Sequence, residues 1–302
     1  MRVLITGAQG QLGQALQASR PSGISLMALG RAQLDLADAK ACRDRIASER
    51  PDWLINAGAY TAVDRAEQEP ELAYAINAEA PAAFAEALAR QGGTMLQIST
   101  DFVFSGRQGN PYAPDQPVDP LGVYGHSKAA GETAVLQALS DTAAGYVLRT
   151  SWLYSAGGQN FLHTMLRLHR QRHEQGQPLA VVADQVGCPT ACVSLAAAIW
   201  QLLTRIELAR AGELAMPAPI QHWSDAGAAS WFDFAVAIGE IGVQLGLLEA
   251  AAEVQAIPST AYRTPAQRPS YSLLNCFPTQ ALLEQRPLPW RQQLQQVMQL
   301  LV

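Results

Sequence analysis

The stretch Arg2-Val3-Leu4-Ile5-Thr6-Gly7-Ala8-Gln9-Gly10-Gln11-Leu12-Gly13 indicates the fold of this chain. An apolar run is followed at once by a glycine loop, which predicts a strand at 2–6 running into a helix at 11–19. Glycines at 7, 10 and 13 allow a tight turn and let the backbone approach a pyrophosphate at the helix N-terminus. The spacing differs by one residue from G-x-G-x-x-G. Glycines also serve ordinary turns. The position of the loop, after a strand and before a helix, therefore favours a dinucleotide site more than the glycine spacing does.

Downstream of this loop, short apolar strands alternate with helical stretches. Strands are predicted at 24–29, 53–56, 94–99 and 146–150, and helices at 39–50, 73–91 and 124–139. Such alternation predicts an α/β fold with a Rossmann-type, doubly wound parallel sheet. The segment 105–121 is rich in Gly, Pro and Asp and predicts a loop long enough to cover a site.

After Trp152 the alternation breaks down, which predicts a second, smaller part of the molecule. Helices are expected at 161–172 and 193–205 and a strand at 179–182, while six prolines after residue 256 suggest irregular segments over a pocket. We therefore expect a dinucleotide-binding domain of residues 1–152 and 178–222. A smaller substrate-binding domain, largely C-terminal, takes residues 153–177 and 223–302.

Composition excludes several classes of partner. The 302 residues are 49% hydrophobic and 16% charged, as in a globular protein, and a net charge of −5 argues against nucleic acid as the main partner. The four cysteines are too few and scattered for a disulfide framework, and Cys188 and Cys192 lack a second Cys/His pair for zinc. The chain opens on a strand and no run approaches the length of a membrane span, so we expect no signal peptide, no membrane partner and a cytoplasmic location.

Tyr124 and Lys128 are candidates for proton transfer. They are four residues apart, which places both on one face of a helix. The pKa of a free phenol is near 10, and a neighbouring ammonium and the positive ring of an oxidised nicotinamide both stabilise the phenolate. We expect these two charges to lower the pKa of Tyr124. The alternative is a surface tyrosine that packs on a lysine stem.

Two further positions complete the predicted site. Thr100 follows a strand at the sheet edge where ligands bind, and its hydroxyl can hold a carbonyl oxygen beside the tyrosine or cap a turn. Arg31 ends the second strand, where an acid would bind the ribose of NAD and an arginine accommodates the 2′-phosphate of NADP. This favours NADPH, although Arg31 could also extend into solvent.

These motifs resemble those of the extended short-chain dehydrogenase/reductases. More specific segments are similar to the dTDP-4-dehydrorhamnose reductase family. They are Asn56-Ala57-Gly58-Ala59-Tyr60-Thr61-Ala62-Val63-Asp64, Arg149-Thr150-Ser151-Trp152, Asp184-Gln185-Val186-Gly187-Cys188-Pro189-Thr190 and Thr264-Pro265-Ala266-Gln267-Arg268-Pro269. The similarity runs from the first strand to about residue 290.

The resemblance implies NADPH-dependent reduction of the C4 ketone of a dTDP-linked 4-dehydro sugar. It implies a catalytic set of Thr100, Tyr124 and Lys128. It implies a cofactor set of Gly7, Gly10, Gln11, Leu12, Gly13, Arg31, Asp35, Leu36, Ala59, Tyr60, Thr61, Tyr124 and Lys128. The implied sugar-nucleotide set is Val63, Asp64, Thr100, Asp101, Trp152 and Arg268. Arg268 either meets the diphosphate or forms a structural ion pair. The motifs also admit NADH and a uridine nucleotide.

The chain departs from the family at several positions. Phe102 stands where many members carry tyrosine, which removes one possible hydrogen bond to substrate. Some members dimerise through magnesium held by carboxylates, but Val193 occupies one such neighbourhood and residues 286–302 contain no Asp or Glu. We therefore predict no metal, and a monomer or weak homodimer.

Two rival functions remain open at this point. A sugar-nucleotide epimerase or dehydratase shares the fold, but Asp101 is followed by Phe102 rather than by the glutamate a dehydratase uses, and Arg31 favours an exchangeable NADPH over a held NAD. The second rival function is that of a non-catalytic NADP-binding regulatory subunit, similar to the beta subunit of methionine adenosyltransferase. The presence of Thr100, Tyr124 and Lys128 argues against it.

Overall fold

The computed structural model describes residues 1–142 and 144–302. Its strands are β1 Arg2–Thr6, β2 Ser25–Leu29, β3 Trp53–Asn56, β4 Thr94–Thr100, β5 Gly145–Thr150, β6 Leu153–Tyr154, β7 Leu179–Val182, β8 Val186–Gly187, β9 Thr190–Ala191, β10 Ile220–His222, β11 Ala229–Ser230 and β12 Val254–Ile257. Its helices are α1 Gln11–Ala18, α2 Ala39–Glu49, α3 Val63–Ala66, α4 Pro70–Tyr74, α5 Ala80–Gln91, α6 Val123–Ala138, α7 Phe161–Glu174, α8 Cys192–Arg210, α9 Trp231–Gln244, α10 Phe277–Leu283 and α11 Trp290–Gln299.

Six parallel strands form the main sheet, in the order β10-β5-β4-β3-β1-β2. The strand order reverses at β1, where Val3 pairs with Leu26 of the edge strand β2 on one side and with Trp53 of β3 on the other. Because the chain crosses to opposite sides of β1, a crevice opens at the carboxyl ends of these strands, where α/β proteins bind ligands. The predicted doubly wound parallel sheet is confirmed.

Helices cover both faces of the sheet, as expected for parallel strands that are largely buried. Helices α1, α8 and α10 lie on one face, where Leu16, Ile199 and Leu283 are fully buried. Helices α2, α5 and α6 cover the other face, around Phe84 and Val135. The glycine loop thus joins the buried strand β1 to helix α1, whose buried face packs on the sheet.

A smaller hydrophobic core lies in the second part of the chain, where α7, α9 and α11 pack around Phe234 and Leu294. The strand pair β7–β12 belongs to this core, since Leu179 and Val181 are buried in it. Residues 179–182 therefore lie with the smaller part, although the predicted boundary at 178 assigns them to the dinucleotide-binding domain. Conversely, α10 packs on α8 and β10 of the larger part.

Two of the prolines in the last fifty residues lie at the starts of helices. Pro278 lies in the first turn of α10 and Pro289 is the N-cap of α11. Proline suits the first turn because its missing N–H would have no partner within the helix there. The expectation of irregular segments after residue 256 is therefore wrong for these two helices.

The helix predicted at 73–91 is interrupted in the structure. A π-helical turn, Ala75–Glu79, separates α4 from α5. Within it the buried Asn77 amide turns towards Tyr60, accepting from its backbone N–H at 2.9 Å and donating to its carbonyl at 3.1 Å. The irregular turn therefore ties this helix to the segment that follows β3. Such turns are frequent at functional sites.

One described helix, α8, is long and apolar enough to cross a membrane by length and composition, so the expectation of no such run was wrong. Of its most apolar 18-residue stretch, 56% is buried inside the protein. The buried side packs against α1 and the sheet. Burial against other elements is what a core helix requires, and length alone does not distinguish the two cases.

Candidate active site

A cleft of about 890 Å³ opens at the carboxyl ends of β1, β3, β4 and β5. Every residue predicted for the site lines it except Asp64: Gly7, Gly10, Gln11, Leu12, Gly13, Arg31, Asp35, Leu36, Ala59, Tyr60, Thr61, Val63, Thr100, Asp101, Tyr124, Lys128, Trp152 and Arg268. The volume lies in the range of small-molecule and cofactor sites. Residues far apart in the sequence therefore meet in a single concave site.

The glycine loop forms one end of the cleft. Gly7 has φ +67°, and a Cβ there would lie 2.7 Å from the backbone nitrogen of Gly58. At Gly13 a Cβ would lie 2.2 Å from the Gly7 carbonyl oxygen, so any side chain would push α1 away. Gly10 is the N-cap of α1 and has no side-chain cap. The helix N–H groups are thus open to a phosphate, and the cradle fits a dinucleotide pyrophosphate.

Gln11 connects this loop to the smaller part of the chain. Its side-chain oxygen accepts a hydrogen bond from the Asn160 amide at 2.8 Å, and the Ser155 hydroxyl lies 2.9 Å from the same oxygen. Asn160 in turn caps α7 through the backbone N–H of His163. The segment 155–160, which sequence reasoning did not assign to the site, thus covers the phosphate end of the cleft.

The end of β2 carries the residues expected to distinguish cofactors. Arg31 is exposed, lines the cleft and makes no ion pair within residues 1–142 and 144–302. The Asp35 carboxylate accepts the backbone N–H of Ala37 at 3.0 Å, as in a local turn. A free guanidinium at this position is suited to a phosphate on the adenosine ribose.

Tyr124 and Lys128 lie one turn apart on α6, as predicted. The Lys128 ammonium is buried and donates to the backbone carbonyl of Ile98 at 2.6 Å. Burial lowers the pKa of Lys128 to about 8, although Glu132 opposes the change. Glu132 itself pairs with the buried Arg149 at 2.7 Å. Lys128 is therefore fixed between β4 and an ion pair beneath the site.

Burial raises the pKa of Tyr124 to about 12, and the nearby Asp101 raises it further, while a hydrogen bond with Thr100 opposes the increase. This is the reverse of the expected lowering by Lys128. Desolvation of the phenolate exceeds the stabilising interactions around it. Tyr124 is therefore a neutral phenol at neutral pH, which is the form that donates a proton.

Asp101 is committed to protein contacts rather than open to a ligand. Its carboxylate is 1% exposed and accepts from Ser272 at 2.5 Å and from Thr100 at 3.0 Å. Burial raises the pKa of Asp101 to about 6, because the two hydrogen bonds only partly compensate for lost water. Asp101 lines the cleft, but both of its carboxylate oxygens are bonded to protein hydroxyls.

Arg268 and Asp64 form a two-pronged ion pair, with N–O distances of 2.8 and 3.0 Å. Of the two roles left open for Arg268, the structure contains the ion pair. The carboxylate of Asp64 lies outside the cleft lining and reaches it only through Arg268. The hydrogen bond from Arg268 lowers the pKa of Asp64, so the pair stays ionised at neutral pH.

Two hydroxyls at the strand ends have no partner in the parts of the chain that are described. They are Ser99 Oγ at the end of β4 and Thr150 Oγ1 at the end of β5, both buried and both in residues that line the cleft. Buried polar atoms without partners are rare in native proteins. Their place on the sheet edge is suited to a polar ligand group such as a ribose.

Sequence reasoning missed Trp231, the first residue of α9, which stacks on Trp152 within the cleft. The signal was the pair Ser230 and Asp233, which form a capping box and mark the start of a helix.

In the parts of the chain that are described, no group of three or more His, Cys, Asp or Glu could hold a metal ion.

A wound parallel sheet that places a phosphate cradle opposite a threonine, a neutral tyrosine and a buried lysine defines a dinucleotide-dependent oxidoreductase of the extended short-chain dehydrogenase/reductase type. Comparison with known proteins defines the family. The chain belongs to the family described as the RmlD substrate binding domain, which matches residues 1–302.

Named relatives agree with this assignment. The chain is 42% identical over 277 residues to a dTDP-4-dehydrorhamnose reductase of Streptomyces griseus, covering 91% of this chain and 85% of that protein. A solved dTDP-4-dehydrorhamnose reductase of Clostridium acetobutylicum superposes with a TM-score of 0.85 at 32% identity, covering 100% and 99% of the two chains. A dTDP-4-dehydrorhamnose reductase of Bacillus anthracis, solved in complex with NADP, superposes with a TM-score of 0.83 at 32% identity, covering 98% of each chain.

Proposed function

We propose that this chain reduces the C4 ketone of dTDP-4-dehydro-L-rhamnose to dTDP-L-rhamnose with NADPH, the last step in making that sugar nucleotide. The observation that carries the proposal is the position of Tyr124 and Lys128 on one face of α6, in the cleft that the glycine loop closes at its other end. Relatives named dTDP-4-dehydrorhamnose reductase support the same substrate.

The cofactor set of this chain fits NADPH. Gly10, Gln11 and Leu12 would hold the pyrophosphate, and Arg31 the 2′-phosphate. Asp35 and Leu36 lie where the adenine would rest, and Ala59, Tyr60 and Thr61 further along the cofactor. Lys128 is placed to hold the nicotinamide ribose. When bound, NADPH supplies a hydride, that is, two electrons and a proton, to the ketone carbon.

The chain's own residues supply the second proton. The Tyr124 hydroxyl transfers its proton to the ketone oxygen, so the C–O double bond becomes a C–OH single bond and the tyrosine is left as phenolate. The Lys128 ammonium and the Thr100 hydroxyl stabilise that negative charge. A proton from water then restores the phenol, which balances the reaction. General acid catalysis of this kind contributes about 10²–10⁴-fold.

The sugar nucleotide would lie between the two parts of the chain. Val63 and Trp152 offer apolar contact to the sugar, and Thr100 with Asp101 lies beside its C4 oxygen. Arg268 would meet the diphosphate while keeping Asp64 as its counter-ion. We infer further that the chain is cytoplasmic, a monomer or weak homodimer, and that it binds neither nucleic acid nor membrane. Its net charge of −5 and its four free, buried cysteines agree with this.

The test is direct. Purified protein is incubated with dTDP-4-dehydro-L-rhamnose and NADPH, and nicotinamide absorbance is followed while the product is identified by mass. We expect one equivalent of alcohol for each NADPH consumed. NADPH binding without any fall in absorbance would overturn the proposal and favour a regulatory subunit. Interconversion of C4 epimers without net cofactor consumption would instead indicate an epimerase.

A further inference from the structure

Two tryptophans from different parts of the chain form a parallel stack in the cleft. The ring centroids of Trp152 and Trp231 are 3.6 Å apart and the rings are 6° from parallel. Trp152 follows the end of β5 by two residues, and Trp231 is the first residue of α9. Both are partly exposed and line the same cleft as Tyr124.

The backbone of Trp152 is strained. Its φ of +48° places a bulky side chain in the left-handed region, which such residues rarely adopt. Strain of this kind persists only where the surrounding structure fixes it, and it clusters at functional sites. Something must therefore hold the Trp152 indole against its local preference.

The strand pair β8–β11 supplies that restraint. Gly187 of β8 pairs with Ala229 of β11, which brings Gly187 and Trp231 to the same region around Trp152. A Cβ at Gly187 would lie only 2.8 Å from the Trp152 ring, so the glycine makes room for the indole. The Trp152 ring is therefore confined by Gly187 and by the stack with Trp231.

Trp231 is itself held in place. Ser230 and Asp233 form a capping box at the start of α9, with Asp233 N–H donating to Ser230 Oγ at 3.1 Å. Phe161 of α7 packs against the Trp231 ring at a centroid distance of 4.8 Å. Aromatic pairs generally prefer an offset or edge-on arrangement with larger centroid separation. The close parallel stack is thus a product of its surroundings.

We propose that Trp231 is a positioning residue for sugar recognition, which holds the Trp152 indole in the one orientation that contacts the sugar of the bound nucleotide. The proposal rests on the function proposed above, because it takes the ligand to be a nucleotide sugar. The exposed part of the stack offers an apolar surface to the C–H groups of a deoxy sugar. Loss of Trp231 frees Trp152 to relax from its strained backbone and withdraws that surface.

The experiment measures the stack and the sugar affinity separately. Two stacked indoles give a paired positive and negative band in the circular dichroism spectrum, which reports the stack without any turnover. Affinity is measured as KM for dTDP-4-dehydro-L-rhamnose and as Kd for dTDP-L-rhamnose by titration, and KM for NADPH is measured alongside. The variants are Trp231→Ala, Trp231→Phe and Gly187→Ala, and the matched control is Trp290→Phe, outside the cleft lining.

We expect Trp231→Ala to abolish the paired band. It should also raise the two sugar constants, KM for dTDP-4-dehydro-L-rhamnose and Kd for dTDP-L-rhamnose, about tenfold, which corresponds to about 1.4 kcal/mol. KM for NADPH should not change. Trp231→Phe, which keeps a flat ring, should restore most of the affinity while still lacking the paired band. Gly187→Ala should raise the sugar constants with Trp231 still present, because it displaces Trp152 directly. Trp290→Phe should leave the band and both constants intact.

Loss of the band with unchanged sugar constants in Trp231→Ala would overturn the proposal, since the stack would then serve packing alone. Equal weakening of NADPH and sugar binding would also overturn it, because the effect would be a general distortion. If the unaltered protein binds the sugar nucleotide and reduces it, these outcomes refute only the role of Trp231. If it neither binds nor reduces the sugar nucleotide, the proposed function fails and this inference fails with it.

Discussion

The Thr100 hydroxyl donates its hydrogen to the Asp101 carboxylate, with 3.0 Å between the two oxygens. A hydroxyl has one hydrogen, so this bond competes with the hydrogen bond by which Thr100 lowers the pKa of Tyr124. One lone pair of the Thr100 oxygen accepts the Phe102 backbone N–H at 3.2 Å. Asp101 therefore affects the pKa of Tyr124 through Thr100 as well as through its own charge.

Replacing Asp101 by Asn should change the pH dependence of the reverse reaction, oxidation of the alcohol, which needs the Tyr124 phenolate. The Asp101 charge raises the pKa of Tyr124, so its removal should lower that pKa. The rise of the oxidation rate with pH should then move to lower pH. The measurement is kcat/KM for dTDP-L-rhamnose and NADP against pH. Asp119→Asn, an exposed carboxylate, is the control. An unchanged profile, or one moved to higher pH, would contradict this electrostatic coupling.

Tyr124→Phe should retain NADPH binding and lose catalysis. The ring and its edge-on contact with Phe102, at a centroid distance of 5.7 Å, are preserved, whereas the proton donor is gone. We expect kcat to fall by about 10²–10⁴-fold with little change in the Kd for NADPH. Tyr112→Phe, a buried tyrosine outside the cleft lining, should behave as wild type. Retained turnover would mean that another group donates the proton.

Arg268→Gln and Asp64→Asn separate the charge of the arginine from its ion pair. If Arg268 meets the diphosphate, Arg268→Gln should raise KM for the sugar nucleotide about tenfold or more. Asp64→Asn leaves that charge in place, and Arg268 still donates to the Ala266 carbonyl at 3.2 Å, so KM should change little. Arg291→Gln, in an exposed ion pair with Glu240, is the control. An equal increase of KM in Arg268→Gln and Asp64→Asn would show that the ion pair matters only as a structural anchor.

Lys128→Met should stabilise the chain at neutral pH. The folded pKa of Lys128 is about 8, below its ordinary value of 10.5, so between these values the unfolded chain binds more protons. Wild-type stability therefore rises as pH increases through this window, and below pH 8 the buried charge costs up to about 3 kcal/mol. The difference in free energy of unfolding between Lys128→Met and wild type should be largest near pH 7 and shrink towards pH 10.5. Denaturant unfolding at several pH values measures this difference.

The exposed Lys40 provides the control for this linkage. Lys40→Met should change stability by an amount that does not depend on pH between about pH 7 and 9, because both states keep that lysine charged there. If Lys128→Met shows the same flat dependence, the buried ammonium has an ordinary pKa and the electrostatic account is wrong.

The sequence predicted those features that depend on local chemistry. The apolar run before Gly7 specified a buried strand and a tight turn, and the spacing of Tyr124 and Lys128 specified a shared helix face. It could not predict that Ser272, 171 residues away, would bind Asp101, because that contact depends on how the last segments fold back. It likewise missed the stack of Trp231 on Trp152, which is created by the short pair β8–β11. The degree of burial could not be predicted from the sequence either, and desolvation of Tyr124 raises its pKa where a lowering was expected.

The bridge from Gln11 to Asn160 has a practical consequence for anyone building hybrid enzymes from this scaffold. A residue of the phosphate cradle supplies the acceptor for the amide that caps α7. If the N-terminal half were exchanged for one that lacks glutamine at position 11, the Asn160 amide in the C-terminal half would lose this hydrogen-bond acceptor. The two halves should accordingly be transplanted together, with Gln11 treated as part of the sugar-binding half despite its place in the sequence.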